Sequence, residues 1–323
     1  MIDPALQLDQ QLRAPLAALE GARPPAPPWF EDAIALAPER SIVTVDGADI
    51  ELLTWGERGQ PGLMFVHGGR AHADWFSFIA PFFAKERRVA AISLSGMGRS
   101  DWRERYSMGQ FAREISQGMR AAGLFEAPVA PLLVAHSFGS RPLFFTAASA
   151  EVELAGAVVL DAAISAPDAP DFQLRLGRPN RVYASLEEAL GHFHLMPAQP
   201  CDNLFILDHI ARHSLTPAPT PEGGEGWTWR FDPYGFDKIV SETPGMSARA
   251  EADVALRATR CRLAFVKGDR STIVRSANLA YTRSIAPEGT PFLTVADAAH
   301  HLFLDQPLAV VEALKTLFAG WGL

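Results

Sequence analysis

The sequence alternates between short, almost unbroken apolar runs and longer stretches in which apolar residues recur at helical spacing. Four such runs lie between residues 63 and 160, and in chain order they are LMFV, VAAISL, PLLVA and GAVVL. Continuous hydrophobicity is typical of strands that are covered on both faces, as in a parallel sheet. Two earlier runs, SIVTV and DIELLTW, flank Asp46 and Gly47 and predict a β-hairpin.

Amphipathic helices are predicted between these strands. In DWFSFIAPFF, one helical face would carry Trp75, Ile79, Phe82 and Phe83. In SMGQFAREISQGM, Ser107 and Gln110 form a capping box ahead of an apolar stripe. The strands and helices therefore follow one another in the order expected of an α/β protein.

The alternation stops between residues 162 and 256. Within this range SLEEALGHF, capped by Ser185 and Glu188, and NLFILDHIARHSL predict helices. The stretch PAPTPEGGEGWTWRFDP predicts a loop that ends in an extended aromatic piece. We interpret this whole range as a helical cap inserted into the α/β core.

Strand–helix alternation resumes at residue 257, with RLAFV and PFLTV as strands and a last helix that begins at Pro307. The predicted inner side of that helix consists of Val310, Leu314, Leu317 and Phe318. The predicted fold class is thus α/β, with a doubly wound, mostly parallel sheet built from residues 41–161 and 257–323.

Residues 1–40 form a separate N-terminal arm in this division of the chain. ALQLDQQLRAPLAALE predicts a short amphipathic helix, and ARPPAPPWF breaks regular structure. An arm packed on the main body is the plainer interpretation. A homodimer contact or one edge of a pocket is the alternative.

Composition narrows the classes of partner. Apolar residues make up 48% and charged residues 20%, which is ordinary for a globular protein, and the net charge is −8. An acidic chain argues against binding nucleic acid and disfavours a strongly anionic substrate unless a local basic pocket exists. We see no signal peptide or membrane-spanning run, and only two cysteines, Cys201 and Cys261, occur. These features predict free thiols, no membrane association and a cytoplasmic location.

Three turns carry candidate chemistry. Gly68 and Gly69 follow a buried strand, where glycine backbone can direct N–H groups at a developing oxyanion. PLLVAHSFG predicts a strand, a tight turn and a helix, with Ser137 on the turn and Ala135 where the G-x-S-x-G pattern has its first glycine. ADAAHHLFLDQP follows the last predicted strand and offers a histidine that can return over the sheet edge.

Four segments, VHGG, LSGMGRSDW, AHSFG and DAAHHLFLDQP, occur in the order and spacing of the α/β-hydrolase superfamily. The chain resembles the serine hydrolases of that superfamily over residues 41–160 and 261–320. The resemblance implies Ser137 as nucleophile, His300 as general base, and the N–H groups of Gly69 and Phe138 as an oxyanion hole. A serine hydroxyl needs such a base, because it is a poor nucleophile until an imidazole takes its proton.

Two other histidines adjoin these motifs. His301 competes with His300 for the role of base, but the family pattern puts the base directly after a pair of small residues, which favours His300. His301 is then a packing or supporting residue. His67 precedes the glycines and is expected to be a structural, hydrogen-bonding residue.

The acid partner of the histidine has two candidates. Many relatives carry it three residues after the glycine of FVKGDRSTIV, where this chain has Ser271. The chain therefore resembles an esterase-like branch in which the acid follows the sixth strand, which favours Asp161. Asp269 remains the alternative acid, and its plainer role is a turn or capping residue.

The remaining candidates concern the substrate pocket. Arg70, His72 and His136 adjoin the proposed nucleophile or oxyanion turn and are predicted to bind substrate or neighbouring loops. Trp227 and Trp229 would stack on an aromatic substrate or shield the pocket from water. A metal site is not predicted: the i, i+4 pair His209 and His213 lacks an obvious third ligand.

The function favoured by these residues is hydrolysis of a carboxylic ester or a lactone, with a small molecule as substrate and no cofactor. Carbon–carbon bond hydrolysis or acyl transfer on the same residues is one alternative. A ligand-sensing protein that keeps the fold but turns over slowly or not at all is another.

Overall fold

The computed structural model describes residues 11–166, 177–221 and 223–323. Its strands are β1 (Glu39–Val45), β2 (Ala48–Trp55), β3 (Gly62–Val66), β4 (Arg88–Ile92), β5 (Leu132–His136), β6 (Gly156–Leu160), β7 (Leu215–Pro219), β8 (Glu225–Trp229), β9 (Arg262–Gly268) and β10 (Phe292–Val295). Eight of them form one sheet in the order β1-β2-β4-β3-β5-β6-β9-β10, and β7 pairs with β8 in a separate sheet.

The large sheet is mostly parallel. Strands β4, β3, β5, β6, β9 and β10 pair in parallel, whereas β1 and β2 form an antiparallel hairpin whose inner strand also pairs antiparallel with β4. Asp46 and Gly47 both have positive φ, which suits the two-residue turn predicted there. The predicted fold class is confirmed.

The helices are α1 (Pro28–Ala35), α2 (Met108–Ala121), α3 (Ser140–Ala148), α4 (Leu186–Gly191), α5 (Leu204–His213), α6 (Ala248–Arg257), α7 (Ser276–Ile285), α8 (Leu302–Asp305) and α9 (Pro307–Gly320). Ser107 caps α2 by accepting a 3.1 Å hydrogen bond from the Gln110 N–H, as the capping box predicts. Ser185 caps α4 in the same way through the Glu188 N–H. Helix α9 begins at Pro307, as predicted.

Helices cover both faces of the sheet, so alternate strand residues enter two different cores. Along β3, Leu63 and Phe65 join one hydrophobic cluster, and Met64 and Val66 join the other. The first cluster contains the inner side of α9, and the second contains the apolar stripe of α2. Burial on both faces is the reason that these strands appear in the sequence as unbroken apolar runs.

Two local predictions are wrong. DWFSFIAPFF does not form one helix but two short 3₁₀ helices, Ala73–Phe76 and Ala80–Phe83. Pro81 lies in the first turn of the second, where a missing N–H is tolerated, and it would interrupt a single helix over the whole stretch. ARPPAPPWF does not only break structure, since Pro28 opens α1 at the position where a helix tolerates proline.

The insert contains a hairpin that the sequence pattern did not predict. Strands β7 and β8 pair antiparallel across the stretch predicted as a loop, and only its aromatic end, including Trp227 and Trp229, was expected to be extended. The other elements between β6 and β9 are α4, α5 and α6, and α6 packs on α3.

The described part of the N-terminal arm packs on the body of the protein. Leu16 and Phe30 are buried in the same cluster as α9, and the Trp55 indole N–H donates to the Leu36 carbonyl. The predicted helix of the arm begins within residues 1–10, which lie outside the described residues. Both cysteines are free, as predicted. Within the described ranges, the longest apolar helices fall short of what a membrane crossing requires.

Candidate active site

Ser137 lies on a sharp turn between β5 and α3. Its backbone is left-handed, with a φ of 49°, and such a conformation is strained for a residue with a side chain. Gly139 completes the turn, and a Cβ there would lie 2.4 Å from the His67 carbonyl oxygen. Ala135, which replaces the first glycine of the pattern, is fully buried inside β5. The turn thus lifts the serine hydroxyl out of the end of the strand.

A chain of hydrogen bonds begins at the Ser137 hydroxyl. His300 Nε2 lies 2.8 Å from Ser137 Oγ, and His300 Nδ1 lies 2.8 Å from Asp161 Oδ1. The imidazole and the carboxylate are 3% and 0% exposed, whereas the serine is half-buried. An Nδ1–H that donates to Asp161 leaves the Nε2 lone pair free to accept from the serine hydroxyl.

Asp161 is held from three sides. The Gly268 N–H donates to its Oδ2 at 2.8 Å, and the Ser271 hydroxyl donates to its Oδ1 at 2.6 Å. Its own backbone is left-handed, with a φ of 46°. Asp269 is exposed instead and accepts a 3.1 Å bond from the Ala298 N–H. The structure therefore brings Asp161, not Asp269, to His300.

The loop that carries His300 is tied to the insert and to α8. The Ala299 N–H donates to Asp305 Oδ2 at 2.8 Å, and the His301 N–H donates to Gln199 Oε1 at 2.9 Å. The Gln199 amide N–H groups in turn donate to the Asp305 carboxylate. Burial raises the pKa of Asp305 to about 6. Sequence patterns did not single out Gln199 or Asp305 for this role, because one follows no recognisable motif and the other is an ordinary helix-end acid.

The two glycines after β3 are required by close packing. A Cβ on Gly68 would lie 2.8 Å from His136 Nδ1, and a Cβ on Gly69 would lie 2.4 Å from Cζ of Phe236. Among the described residues, neither the Gly69 nor the Phe138 N–H has a hydrogen-bond acceptor. Phe236 reaches this turn from the insert and had no signal in the sequence.

His67 supports the same turn. Its Nδ1–H donates to the Gly68 carbonyl at 2.6 Å, and its Nε2 accepts from the Leu94 N–H at 3.0 Å. Burial lowers the pKa of His67 to about 3, so the ring is neutral at ordinary pH. The predicted structural role of this histidine is confirmed.

His136 and His301 stand beside His300. His136 Nε2–H donates to the His300 carbonyl at 2.9 Å, and the His301 ring packs on Trp75 with centroids 5.5 Å apart. Burial lowers the pKa of both rings well below the usual histidine value. The ring nitrogens of His136, His300 and His301 lie within 4.8 Å of one another, which is close enough to hold a metal ion. Within the described ranges, no other histidines, cysteines or acids cluster in this way. His300 Nε2 is bonded to Ser137, and neither His136 nor His301 bonds to that serine.

His72 and His136, predicted to bind substrate or neighbouring loops, are both buried and hydrogen-bonded to other segments of the chain. His72 is buried, with Nε2 2.8 Å from the Ser214 hydroxyl and Nδ1 3.4 Å from Asp74. These bonds agree with the alternative in which His72 binds neighbouring loops rather than substrate. His136 is likewise buried and bonded to the His300 loop.

The tryptophans and the histidine pair of the insert are also engaged elsewhere. The Trp229 indole N–H donates to the Tyr183 hydroxyl at 3.3 Å, and Trp227 pairs with Tyr183 through backbone bonds. His209 Nε2 lies 2.7 Å from the Ser77 hydroxyl, and His213 Nδ1 is bonded to the His209 carbonyl.

A small, partly open cavity lies next to Phe138. Its lining is mainly apolar and includes Arg70, Met97, Tyr106, Phe111, Phe138 and Phe236. Trp227 and Trp229 are not among the lining residues. Of the residues predicted to bind substrate, Arg70 is the one that lines this cavity.

A family model described as the alpha/beta hydrolase family matches residues 63–313, and the chain belongs to this family. A thioesterase domain from the curacin biosynthetic pathway is 19% identical, with a TM-score of 0.69, and the match covers 86% of this chain and 99% of that one. E-2-(acetamidomethylene)succinate hydrolase is 18% identical, with a TM-score of 0.67 and coverage of 87% and 99%. An esterase of Mycobacterium tuberculosis is 19% identical, with a TM-score of 0.64 and coverage of 98% and 99%. No curated protein matches the chain in sequence.

Proposed function

We propose that this protein is a serine hydrolase that cleaves a carboxylic ester or a lactone through Ser137, His300 and Asp161. The observation that carries the proposal is the continuous hydrogen-bond chain, with 2.8 Å from Ser137 Oγ to His300 Nε2 and 2.8 Å from His300 Nδ1 to Asp161. A serine bonded to an imidazole that is itself oriented by a carboxylate is the arrangement needed for nucleophilic attack on an acyl carbon.

In the first half of the reaction, Ser137 Oγ attacks the carbonyl carbon while His300 Nε2 takes the hydroxyl proton. Asp161 stabilises the resulting imidazolium and keeps its Nδ1–H in place. The carbonyl oxygen becomes an oxyanion, and we assign the Gly69 and Phe138 N–H groups as its donors because both lack an acceptor among the described residues. His300 then protonates the leaving alkoxide, and an acyl-enzyme on Ser137 remains.

In the second half, water attacks the acyl-enzyme as His300 takes one of its protons. The tetrahedral intermediate collapses, the proton returns to Ser137 Oγ, and the carboxylic acid leaves. One water molecule is consumed in each cycle, and Ser137 and His300 end in the protonation states in which they began.

The chemistry of the nucleophile favours an acyl carbon over an alkyl carbon. A serine alkoxide that attacked an alkyl carbon would form an ether, which water does not readily cleave. The esterase and thioesterase names among the structural neighbours agree with acyl transfer to water, although their identities of about 19% support only the fold. The sequence interpretation of an ester or lactone is thus kept as the proposal.

We further propose that residues 162–256 act as a cap over this site. Phe236 covers Gly69, and Gln199 holds the backbone of the His300 loop, so the insert supplies parts that the α/β core lacks. Helix α5 is tied to the core through His209, which bonds to Ser77, and through Ser214, which bonds to His72. Substrate selection would then depend mainly on side chains of the insert.

The test is turnover of p-nitrophenyl acetate and p-nitrophenyl butyrate by the wild type and Ser137→Ala. We expect the substitution to lower kcat by about 10⁴-fold or more, because it removes the nucleophile. Ser116→Ala is the matched control, since that hydroxyl bonds only to the Ala112 carbonyl on α2. Equal activity of the Ser137 variant and the wild type would refute the proposal.

Covalent trapping provides a second readout that does not depend on the choice of ester. Phenylmethylsulfonyl fluoride sulfonylates an activated serine with loss of fluoride, and mass spectrometry should locate the adduct on the peptide that contains Ser137. The Asp161→Asn variant should react more slowly. Absence of turnover and of labelling, together with tight binding of a small molecule, would favour the sensing alternative.

A further inference from the structure

Arg70 enters the cavity beside Phe138 directly after the turn that carries Gly69. Its guanidinium carbon lies 5.3 Å from the centre of the Phe231 ring and 5.7 Å from that of Phe236. Its backbone is left-handed, with a φ of 61°. The side chain is thus held over two aromatic faces rather than extended into water.

This guanidinium has no anionic partner in the part of the chain that the structure describes. Among the described residues, no carboxylate oxygen lies within 4.0 Å of Arg70, and its Nη1 donates a 3.4 Å hydrogen bond to the thioether sulfur of Met196. Its Nε is buried and has no hydrogen-bond partner. A buried donor without a hydrogen-bond partner destabilises the folded protein, and a ligand that supplies an acceptor removes that cost.

The other charged lining residue is already neutralised. Asp232 accepts a 2.9 Å bond from the Tyr106 hydroxyl and a 2.6 Å bond from Lys238 Nζ. The remaining charge in the cavity is therefore that of Arg70. Burial lowers the pKa of Arg70, yet a guanidinium keeps its proton at neutral pH. Asp237 raises the pKa of Arg70 through its charge, but its Oδ2 accepts from the Gly177 N–H. Among the described residues, the guanidinium therefore has no carboxylate bonded to it.

We propose that Arg70 binds a carboxylate of the substrate, and that the preferred substrates are esters or lactones that carry a negative charge close to the scissile bond. The proposal rests on the function proposed above and specifies its substrate class. A planar guanidinium donates two parallel N–H bonds to a carboxylate, which supplies the acceptors that the cavity lacks. The net charge of −8 makes such a local cation necessary for an anionic substrate, because the protein as a whole repels it.

Arg70 is linked to the proposed oxyanion donors through the chain and through the cavity. Gly69, its neighbour in the chain, carries one proposed oxyanion donor, and Phe138, which follows Ser137, lines the same cavity. A carboxylate held there would orient the acyl carbon and would bring no second charge into contact with Ser137. Arg70 is thus a binding and specificity residue and takes no part in proton transfer.

The experiment compares two pairs of esters that differ only in charge. The first pair is mono-p-nitrophenyl glutarate and p-nitrophenyl pentanoate, in which the charge lies on the acyl side. The second pair is 4-acetoxybenzoate and phenyl acetate, in which it lies on the leaving group. We expect the wild type to prefer the anionic ester in at least one pair, and a higher salt concentration to weaken that preference.

Arg70→Met should lower kcat/KM for the preferred anionic ester about 30-fold more than for its neutral counterpart, since it removes charged hydrogen bonds. Arg70→Lys should recover part of the preference, because it keeps the charge but not the fork. Arg283→Met is the matched control: this arginine also stacks on a ring, Phe292 at 4.1 Å, but lines a different cavity. It should leave the ratio unchanged.

A binding measurement separates this proposal from the proposed function. Calorimetric titration of Ser137→Ala with mono-p-nitrophenyl glutarate should show binding that is lost in Ser137→Ala/Arg70→Met and is weaker for the neutral pentanoate. Binding that depends on Arg70, without turnover by the wild type, would retain the anion site and refute the hydrolase. Turnover with equal preference for charged and neutral esters in both pairs, unchanged by Arg70→Met, would retain the hydrolase and refute the anion site.

Discussion

The two sides of Ser137 differ in how their polar groups are satisfied. On the His300 side, Asp161 accepts bonds from the imidazole, from Ser271 and from the Gly268 N–H. On the cavity side, Arg70 has a buried Nε without a partner, and among the described residues no carboxylate oxygen is hydrogen-bonded to it. On the His300 side the polar groups have their hydrogen-bond partners without a ligand, whereas on the cavity side the Arg70 guanidinium lacks an acceptor.

This difference separates the two tasks of a hydrolase. The groups that move the proton must keep one geometry with every substrate, so their partners are built into the protein. The groups that select the substrate gain most when the substrate alone can satisfy them, because a ligand without the matching group leaves them unpaired. The predictions below test this contrast, beginning with the side that is complete.

The largest effect is expected at Asp161. In Asp161→Asn, an amide N–H would face His300 Nδ1 and favour the tautomer whose Nε2 carries the proton, so the ring could no longer accept from Ser137. We expect kcat for p-nitrophenyl butyrate to fall by about 10⁴-fold with the fold intact. Asp269→Asn is the control and should change kcat less than about twofold, since its carboxylate bonds to the Ala298 N–H rather than to His300. A larger loss at Asp269 would reverse the assignment of the acid.

Gly69→Ala tests the turn where the two sides meet. The added Cβ would lie 2.4 Å from Cζ of Phe236, so the turn or the ring must move. Because the Gly69 N–H is a proposed oxyanion donor, we expect kcat to fall by about 30-fold. Gly320→Ala is the control, as nothing lies within 4 Å of a Cβ there.

The same prediction has an internal check. If the clash with Phe236 causes the loss, Gly69→Ala/Phe236→Ala should have a higher kcat than Gly69→Ala alone. Additive losses in the double variant would mean that the backbone of the turn itself, and not the aromatic ring, opposes the extra methyl group.

Ser271→Ala probes the support behind the carboxylate. It removes the 2.6 Å bond to Asp161 Oδ1 but leaves the bonds from His300 and Gly268. We expect kcat to fall about fivefold with KM unchanged, because the acid is less well oriented while the cavity is untouched. A change in KM alone would contradict a role through Asp161. Ser284→Ala, whose hydroxyl bonds to the Tyr281 carbonyl on α7, is the control.

The smallest effect concerns the loop that carries His300. The pKa of Asp305 is raised to about 6 by burial, so the folded protein binds this proton more tightly than the unfolded chain does. The stabilisation that this bound proton provides is complete below the pKa that Asp305 has in the unfolded chain. It is lost as the pH rises through about 6. Asp305→Asn removes the ionisation while keeping an acceptor for the Ala299 N–H.

We therefore expect the Tm of Asp305→Asn minus the Tm of the wild type to be about 3 °C higher at pH 8 than at pH 5. Thermal unfolding followed by circular dichroism at the two pH values measures this difference. A relative Tm that is the same at both values would show that Asp305 does not titrate in this range.

Much of the fold follows from local pattern. Unbroken apolar runs marked the buried parallel strands, Ser107 and Pro307 marked the starts of α2 and α9, and Asp46–Gly47 marked the hairpin. These features depend on residues that are near one another in the chain, so periodicity and capping rules detect them. One error has a local cause as well, because proline both breaks regular structure and suits the first turn of a helix, and Pro28 opens α1.

The sequence by itself determined the α/β architecture and the candidate residues Ser137, His300 and Asp161, because order and spacing along the chain encode them. Only the tertiary structure decided that Asp161 rather than Asp269 contacts His300, and that His72 is buried. It alone revealed that Arg70 enters a mainly apolar cavity in which, among the described residues, no carboxylate is bonded to it. Such facts depend on contacts between residues distant in the chain, and only packing decides which polar groups meet and which remain unpaired.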